Sequence, residues 1–302
     1  LHDQSVVGAA AWNRLFDETV AGLVFTIDGE DLPLEAAANK LSEQDRGTRE
    51  AAAREIARVL RANTGLFARV HNTLAKEKEI EDRWRKMPTP QTGRHLSNHV
   101  EAEVVEALRN AVVAAYPKLS HRYYALKAKW LGLETMQVWD RNAPLPIEDD
   151  KLVDWGTAQE MVLSAYAEFS PEMAEIAKPF FTQGWIDAAV KPGKAPGAFA
   201  HPTVTTVHPY VMLNYMGKPR DVMTLAHELG HAVHQVLAAE HGELLPLSPL
   251  TLPEPDSDLG AMLTVRQLLP PPNAPLRRNV LSAGQAVVTM HTFLLRTHYC
   301  VS

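Results

Sequence analysis

Two histidines stand four residues apart in "MTLAHELGHAVHQ", residues 223–235, and a glutamate directly follows the first of them. These types suit metal-assisted hydrolysis: imidazole nitrogens ligate zinc, and a carboxylate held beside the ion can take a proton from water. On a helix, positions four apart are offset by about 40° with a rise of roughly 6 Å, so His227 and His231 can converge on one ion. Glu228 then lies about one step round the helix, placed to act on a bound water rather than to ligate. The spacing therefore nominates His227 and His231 as metal ligands and Glu228 as the general base.

A catalytic zinc usually takes three protein ligands and keeps a fourth position for water. His234 lies on the same face, but its helical rise from His227 is roughly 10 Å, too far to share an ion without distorting the helix. It is expected to pack or to support. The extended motif with Gly seven and His ten residues after the first histidine is excluded, because those positions are His234 and Leu237. What remains is a carboxylate from a later helix. "LTLPEPDSDLGAMLTVRQLL" offers Glu254 at the head of an apolar-periodic stretch through Leu259, Met262, Leu263 and Leu268. The expectation is one zinc ion per chain on His227, His231 and Glu254.

These residues need a frame. Val222, Leu225, Leu229, Val233, Val236 and Leu237 form a helical stripe around the histidines. From Leu1 to about Val190 the pattern is also helical, as in Ile56, Val59, Leu60, Leu66, Phe67, Val70 and Leu74, and again in Val100, Val104, Val105, Leu108, Val112 and Tyr116. Ser170 and Pro171 read as the N-cap and first residue of a helix. "KEKEIEDRWRK", residues 76–86, reads as a solvated helix face. His95 and His99 share helical spacing but lack a following acid, so they do not make a zinc motif. Composition changes at residues 191–215, where Thr203–Val207 and Tyr210–Asn214 suggest a hairpin just before the histidine helix, the strongest strand signal in the chain. Such an edge can hold an extended peptide by main-chain pairing; a purely structural hairpin is the alternative. The expected division is a helical region, 1–190, and a zinc-binding region, 191–302, within one continuous catalytic body.

The chain has 302 residues, 46% of them apolar and 22% charged, which is a folded rather than a disordered composition. Its 30 Lys+Arg against 36 Asp+Glu give a net charge of −6 without blocks of like charge. That speaks against nucleic acid or an anionic membrane as partner. The longest apolar candidate, Val280 to Leu295, is interrupted by Ser282, Gln285 and His291. One cysteine, Cys300, suits a reducing compartment, and the expected location is cytoplasmic. The start "LHDQSVVGAAAW" shows neither an initiator Met nor a recognisable signal peptide, and the reading allows a fragment of a longer protein.

"PYVMLNYMGKPRDVMTLAHELGHAVHQ" followed by "PLTLPE" resembles the oligoendopeptidase F branch of the M3 zinc oligopeptidases. "HRYYALKAKWLGL" and "WDRNAPLP" are similar to the helical region before that family's active site, and the resemblance runs from about Leu1 to Arg266. It implies a mostly α, zincin-type body with a channel and a small sheet beside the zinc. It implies the same roles for His227, His231, Glu254 and Glu228, and short peptides as substrates. Two departures stand out. The family's "LAETASxFGEML" is "LPEPDSDLGAML" here, so Pro253 and Pro255 bracket Glu254, and the second proline is expected to bias it away from helical geometry. Ala261 replaces a glutamate that, in the family, supports a zinc-ligating histidine; Asp258 could stand in, but is read as a solvated helix residue.

The family also continues into a C-terminal segment with a histidine and tyrosines that contact substrate. Here His291, His298 and Tyr299 have suitable types without a surrounding motif, and are read as core or surface residues. Two functions follow: a zinc metalloendopeptidase acting on short peptides, with hydrolysis by residues 1–302 alone expected to be weak, or a non-catalytic zinc-binding or structural relative.

Overall fold

The computed structural model describes residues 2–145, 152–243, 248–249 and 251–268. His291, His298, Tyr299, Cys300 and the 280–295 stretch lie outside the described residues. Contacts define two compact units, one drawn from Leu1–Pro146 with Lys191–Pro196, the other from Ile147–Val190 with Gly197–His291. The chain is mostly helical, with short strands, and among the described residues no helix is long and apolar enough to cross a membrane.

The first unit holds α1 (His2–Val7), α2 (Ala9–Ala21), the hairpin β1 (Phe25–Ile27) and β2 (Glu30–Leu32), α3 (Leu34–Asn39), α4 (Arg46–Ala62), α5 (Thr64–Trp84), α6 (Thr92–Ser97), α7 (Ala102–Ala115) and α8 (Ser120–Trp130). The β1–β2 pair is a strand signal that the reading above passes over. Asp28 and Gly29 both take positive φ, 54° and 83°, as a two-residue hairpin turn demands. The alternation of Phe25 and Ile27 inward with Thr26 outward then buries the hairpin against Leu32, Ala37, Ala52 and Val59. Helix α4 starts on Asp45, whose carboxylate accepts from Thr48 N at 2.6 Å. It ends at Asn63, whose side-chain amide donates to Val59 O. The charge run falls on α5 and pairs along the helix, Lys78 with Asp82 and Arg85 with Glu81, on a largely exposed face. The expected stripe on α7 is not buried: Val104 and Leu108 are exposed. His95 ends up in α6, while His99, at φ 49°, lies past its end, so the two share no helix.

The second unit carries α9 (Trp155–Phe169), α10 (Pro171–Thr182), β3 (Ile186–Asp187), β4 (Phe199–His201), β5 (Tyr210–Met212), α11 (Pro219–Ala239) and α12 (Pro253–Leu268). Ser170 caps α10, its hydroxyl accepting from Met173 N, with Pro171 at the first helical position as expected. The strands form one sheet in the order β3-β5-β4, with β3 parallel and β4 antiparallel to β5. The hairpin beside the histidine helix is therefore present, but its first strand is 199–201 rather than 203–207. Pro202 lacks an N–H, and Thr203 turns the chain at φ 60°, so 202–209 is the connecting loop. The core of this unit is built from Val162, Tyr166, Phe180, Val211, Leu213 and the inward face of α11.

Candidate metal centre

Helix α11 begins on Pro219, with Asp221 in the first turn accepting from Lys218 N (3.0 Å) and Met216 N (2.9 Å). Val222, Leu225, Leu229 and Val233 are buried, and Leu237, counted in the same stripe, is 46% exposed. That burial fixes the rotation of the helix and leaves His227 and His231 only slightly exposed on another face, their rings 4.7 Å apart and nearly perpendicular.

Helix α12 brings the carboxylate. Prolines at its first and third positions do no damage, because the N–H groups they lack have no intrahelical acceptor there. The expectation that Pro255 pulls Glu254 out of helical geometry is thus corrected: Glu254 sits in the first turn of a continuous helix. The buried face is corrected too. Leu259 and Met262 are exposed, and Ser257, Gly260, Ala261, Thr264 and Val265 are buried instead, at steps of three and four. Small side chains let α12 lie close to its neighbours. A Cβ on Gly260 would stand 2.6 Å from Tyr166 Oη and 2.9 Å from Ala226 O. The Tyr166 phenol, buried and held far above its ordinary pKa by that burial, donates to Ala226 O at 2.5 Å, one residue before His227.

In this frame Glu254 Oε2 lies 3.7 Å from His227 Nε2, and its Oε1 lies 3.9 Å from His231 Nε2. Those separations exceed hydrogen-bond length. The three donors surround a space, all within 4.8 Å of one another. Ligands of a four-coordinate zinc at about 2.1 Å stand roughly 3.4 Å apart, so the gap needs only slight contraction. Two imidazoles and one carboxylate are a zinc-type set, and the residues present fit the ion that the spacing implies.

Glu228 is buried, only 8% exposed, and points with the same turn of α11. Burial pushes its carboxyl up to about 7, with the Glu254 charge adding and His227 opposing. Burial works against a charged His227, but Asp258, Glu228 and Glu254 more than offset it, and its pKa is raised. Ser257 carried no expectation, and Asp258 was expected to be solvated; both lie against His227. Ser257 Oγ donates to Glu254 O at 2.9 Å and lies 3.3 Å from His227 Nε2; its signal was the three-residue step from Glu254. Asp258, read as a solvated residue, places Oδ1 3.5 Å from His227 Nδ1. His234 stays outside the cluster, with Nε2 2.8 Å from Ser248 Oγ. Beside the centre, Gln235 Nε2 donates to Ala200 O at 3.2 Å, so the outer edge of β4 faces α11.

A mostly helical body with two histidines and a buried glutamate on one helix, a carboxylate on the next and a small sheet alongside is a helical zincin-type architecture. The chain belongs to peptidase family M3, whose model matches residues 40–249. It is 28% identical over 182 residues to oligopeptidase PepF of Bacillus subtilis (strain 168), covering 58% of this chain and 27% of that one. It is 26% identical over 201 residues to an oligoendopeptidase F homolog of Lactococcus lactis subsp. lactis (strain IL1403), covering 67% and 33%. Its fold is similar to that of PZ peptidase A solved with an inhibitor, at a TM-score of 0.75 and 20% identity over 96% of this chain and 52% of the other. The chain thus spans about a third or less of the curated relatives it matches.

Proposed function

We propose that the chain carries the catalytic centre of a zinc metalloendopeptidase that hydrolyses short peptides, with one zinc held by His227, His231 and Glu254 and with Glu228 as general base. The observation that carries this is the convergence of the three donor groups beside a buried glutamate. A bound zinc supplies Lewis acidity, lowering the pKa of water and polarising the scissile carbonyl. The chain's own residues do the rest. Glu228, buried on the helix that carries both histidines, accepts the proton of the attacking water and delivers it to the leaving amine. Strand β4 is the edge of its sheet and lies next to α11, where Ala200 O already accepts from Gln235, so an extended peptide pairing there displaces that side-chain amide. Family membership and the peptidase activity named for the relatives support the reading. The single cysteine and the charge balance agree with a cytoplasmic peptidase without a nucleic acid or membrane partner.

Metal analysis of the purified chain tests it. Zinc at about one ion per chain is expected, with stoichiometric metal lost in His231→Ala, since two ligands hold the ion far less well than three. Retention of stoichiometric zinc by that variant sinks the ligand assignment.

A further inference from the structure

One face of α12 sets a carboxylate near each nitrogen of the His227 ring, with Ser257 Oγ also 3.3 Å from Nε2. Glu254 Oε2 stands 3.7 Å from its Nε2, and Asp258 Oδ1 stands 3.5 Å from its Nδ1. The spacing explains this placement: positions 254 and 258 are four apart, on one face of the helix, about 40° and roughly 6 Å from each other. The two nitrogens of an imidazole point in different directions, and each meets its own carboxylate. Nδ1 is closed off from solvent, and Asp258 Oδ1, at 3.5 Å, stands just beyond hydrogen-bond length from it. Position 261, a further turn half along, carries a buried alanine with no group to offer.

We propose that Asp258 is a positioning residue for the metal centre: by accepting from His227 Nδ1–H it holds the ring in the tautomer that presents the Nε2 lone pair beside Glu254. The support comes from 258, one helical turn after Glu254, and the buried Ala261 has no group to give it. This rests on the zinc reading given above. A carboxylate on the far nitrogen of a ligating histidine fixes its orientation and raises its basicity, and its removal commonly weakens metal binding by about 10–100-fold. Asp258 is well suited to substitution, because its side chain is 45% exposed.

The test is zinc affinity by chelator competition on the full chain, together with thermal melting of the metal-free forms, for wild type, Asp258→Ala, Asp258→Asn and His231→Ala. Asp258→Ala should bind zinc about 10–100-fold more weakly while melting as the wild type does. Asp258→Asn, which keeps an acceptor oxygen but no charge, should fall between the two. His231→Ala should bind no stoichiometric zinc. If Asp258→Ala binds as tightly as wild type while His231→Ala does not bind, the positioning role is wrong and the metal centre stands. If Asp258→Ala loses affinity only in step with a large drop in metal-free melting temperature, Asp258 is structural and the proposal falls. A wild-type chain that binds no zinc overturns both readings at once.

Discussion

Glu228 differs from the other acids of the centre in its surroundings more than in its position. It is buried on the helix that carries both histidines, and that burial pushes its carboxyl up to about 7. Glu228→Gln preserves shape and removes the proton acceptor. The variant is expected to keep zinc at the wild-type level and to lose peptide hydrolysis, by on the order of 10²–10⁴-fold. Paired measurements of metal content and turnover of a short fluorogenic peptide check it, and loss of metal would instead make Glu228 a ligand or a support. At this scale the meeting of His227 and His231 was readable, because a four-residue step on a helix sets two rings on one face. Asp258 was weighed as a stand-in but read as solvated, since an acid on a helix carries no mark of the ring it will meet.

Between helices, the decisive contact is the one at Gly260. Helix α12 comes close enough to α9 and α11 for its first two turns to reach the histidines only because nothing projects there: the missing Cβ would strike Tyr166 Oη and Ala226 O. Gly260→Ala should therefore force α12 outward, costing about 1–3 kcal/mol in overpacking and weakening zinc binding together. Tyr166→Phe in the same chain, by removing the nearer oxygen, should recover part of both losses; urea unfolding and zinc affinity of the single and double variants decide it. This face of α12 was invisible to periodicity because Ser257, Gly260, Ala261 and Thr264 carry little or no hydrophobic signal, while the exposed Leu259 and Met262 carry a strong one. Helix α11, with large apolar residues on its buried face, could be read directly. The two-residue β3 was too short to leave a pattern, and the Asp28–Gly29 turn was readable but flanked by strands of only three residues.

Over the whole molecule, each unit has its own core, Phe25, Ile27 and Val59 in one and Val162, Phe180 and Leu229 in the other. The first also has a buried ion pair, Asp140 with Arg46 and Arg49 at 2.9 and 3.3 Å. Hydrogen bonding from Arg46, aided by Gln137 N–H and Arg49, outweighs burial and holds the Asp140 carboxyl at about 2. The folded state therefore binds this proton less readily than the unfolded chain does. The resulting stability is complete above the ordinary value near 3.8 and disappears as pH falls through about 2. Asp140→Asn leaves the buried Arg49, still donating to the carbonyls of Glu43, Gln44 and Trp139, without its counter-charge, and should cost on the order of 3 kcal/mol near neutral pH, with the difference from wild type shrinking between about pH 4 and 2. Denaturant titrations across that range measure it, and zinc affinity should not change.

The donors of the metal centre lie on only two helices, and the segment between His231 and Glu254 is roughly 23 residues of chain. An ion bound there closes that segment into a loop. Topologically it is a cross-link, and closing a loop of this length in the unfolded chain is worth on the order of 3 kcal/mol for a covalent bridge. These 302 residues hold one cysteine and so no disulfide within them. Zinc would then serve α12 as a removable staple, and a chelator would do to this hairpin what a reductant does to a bridged one.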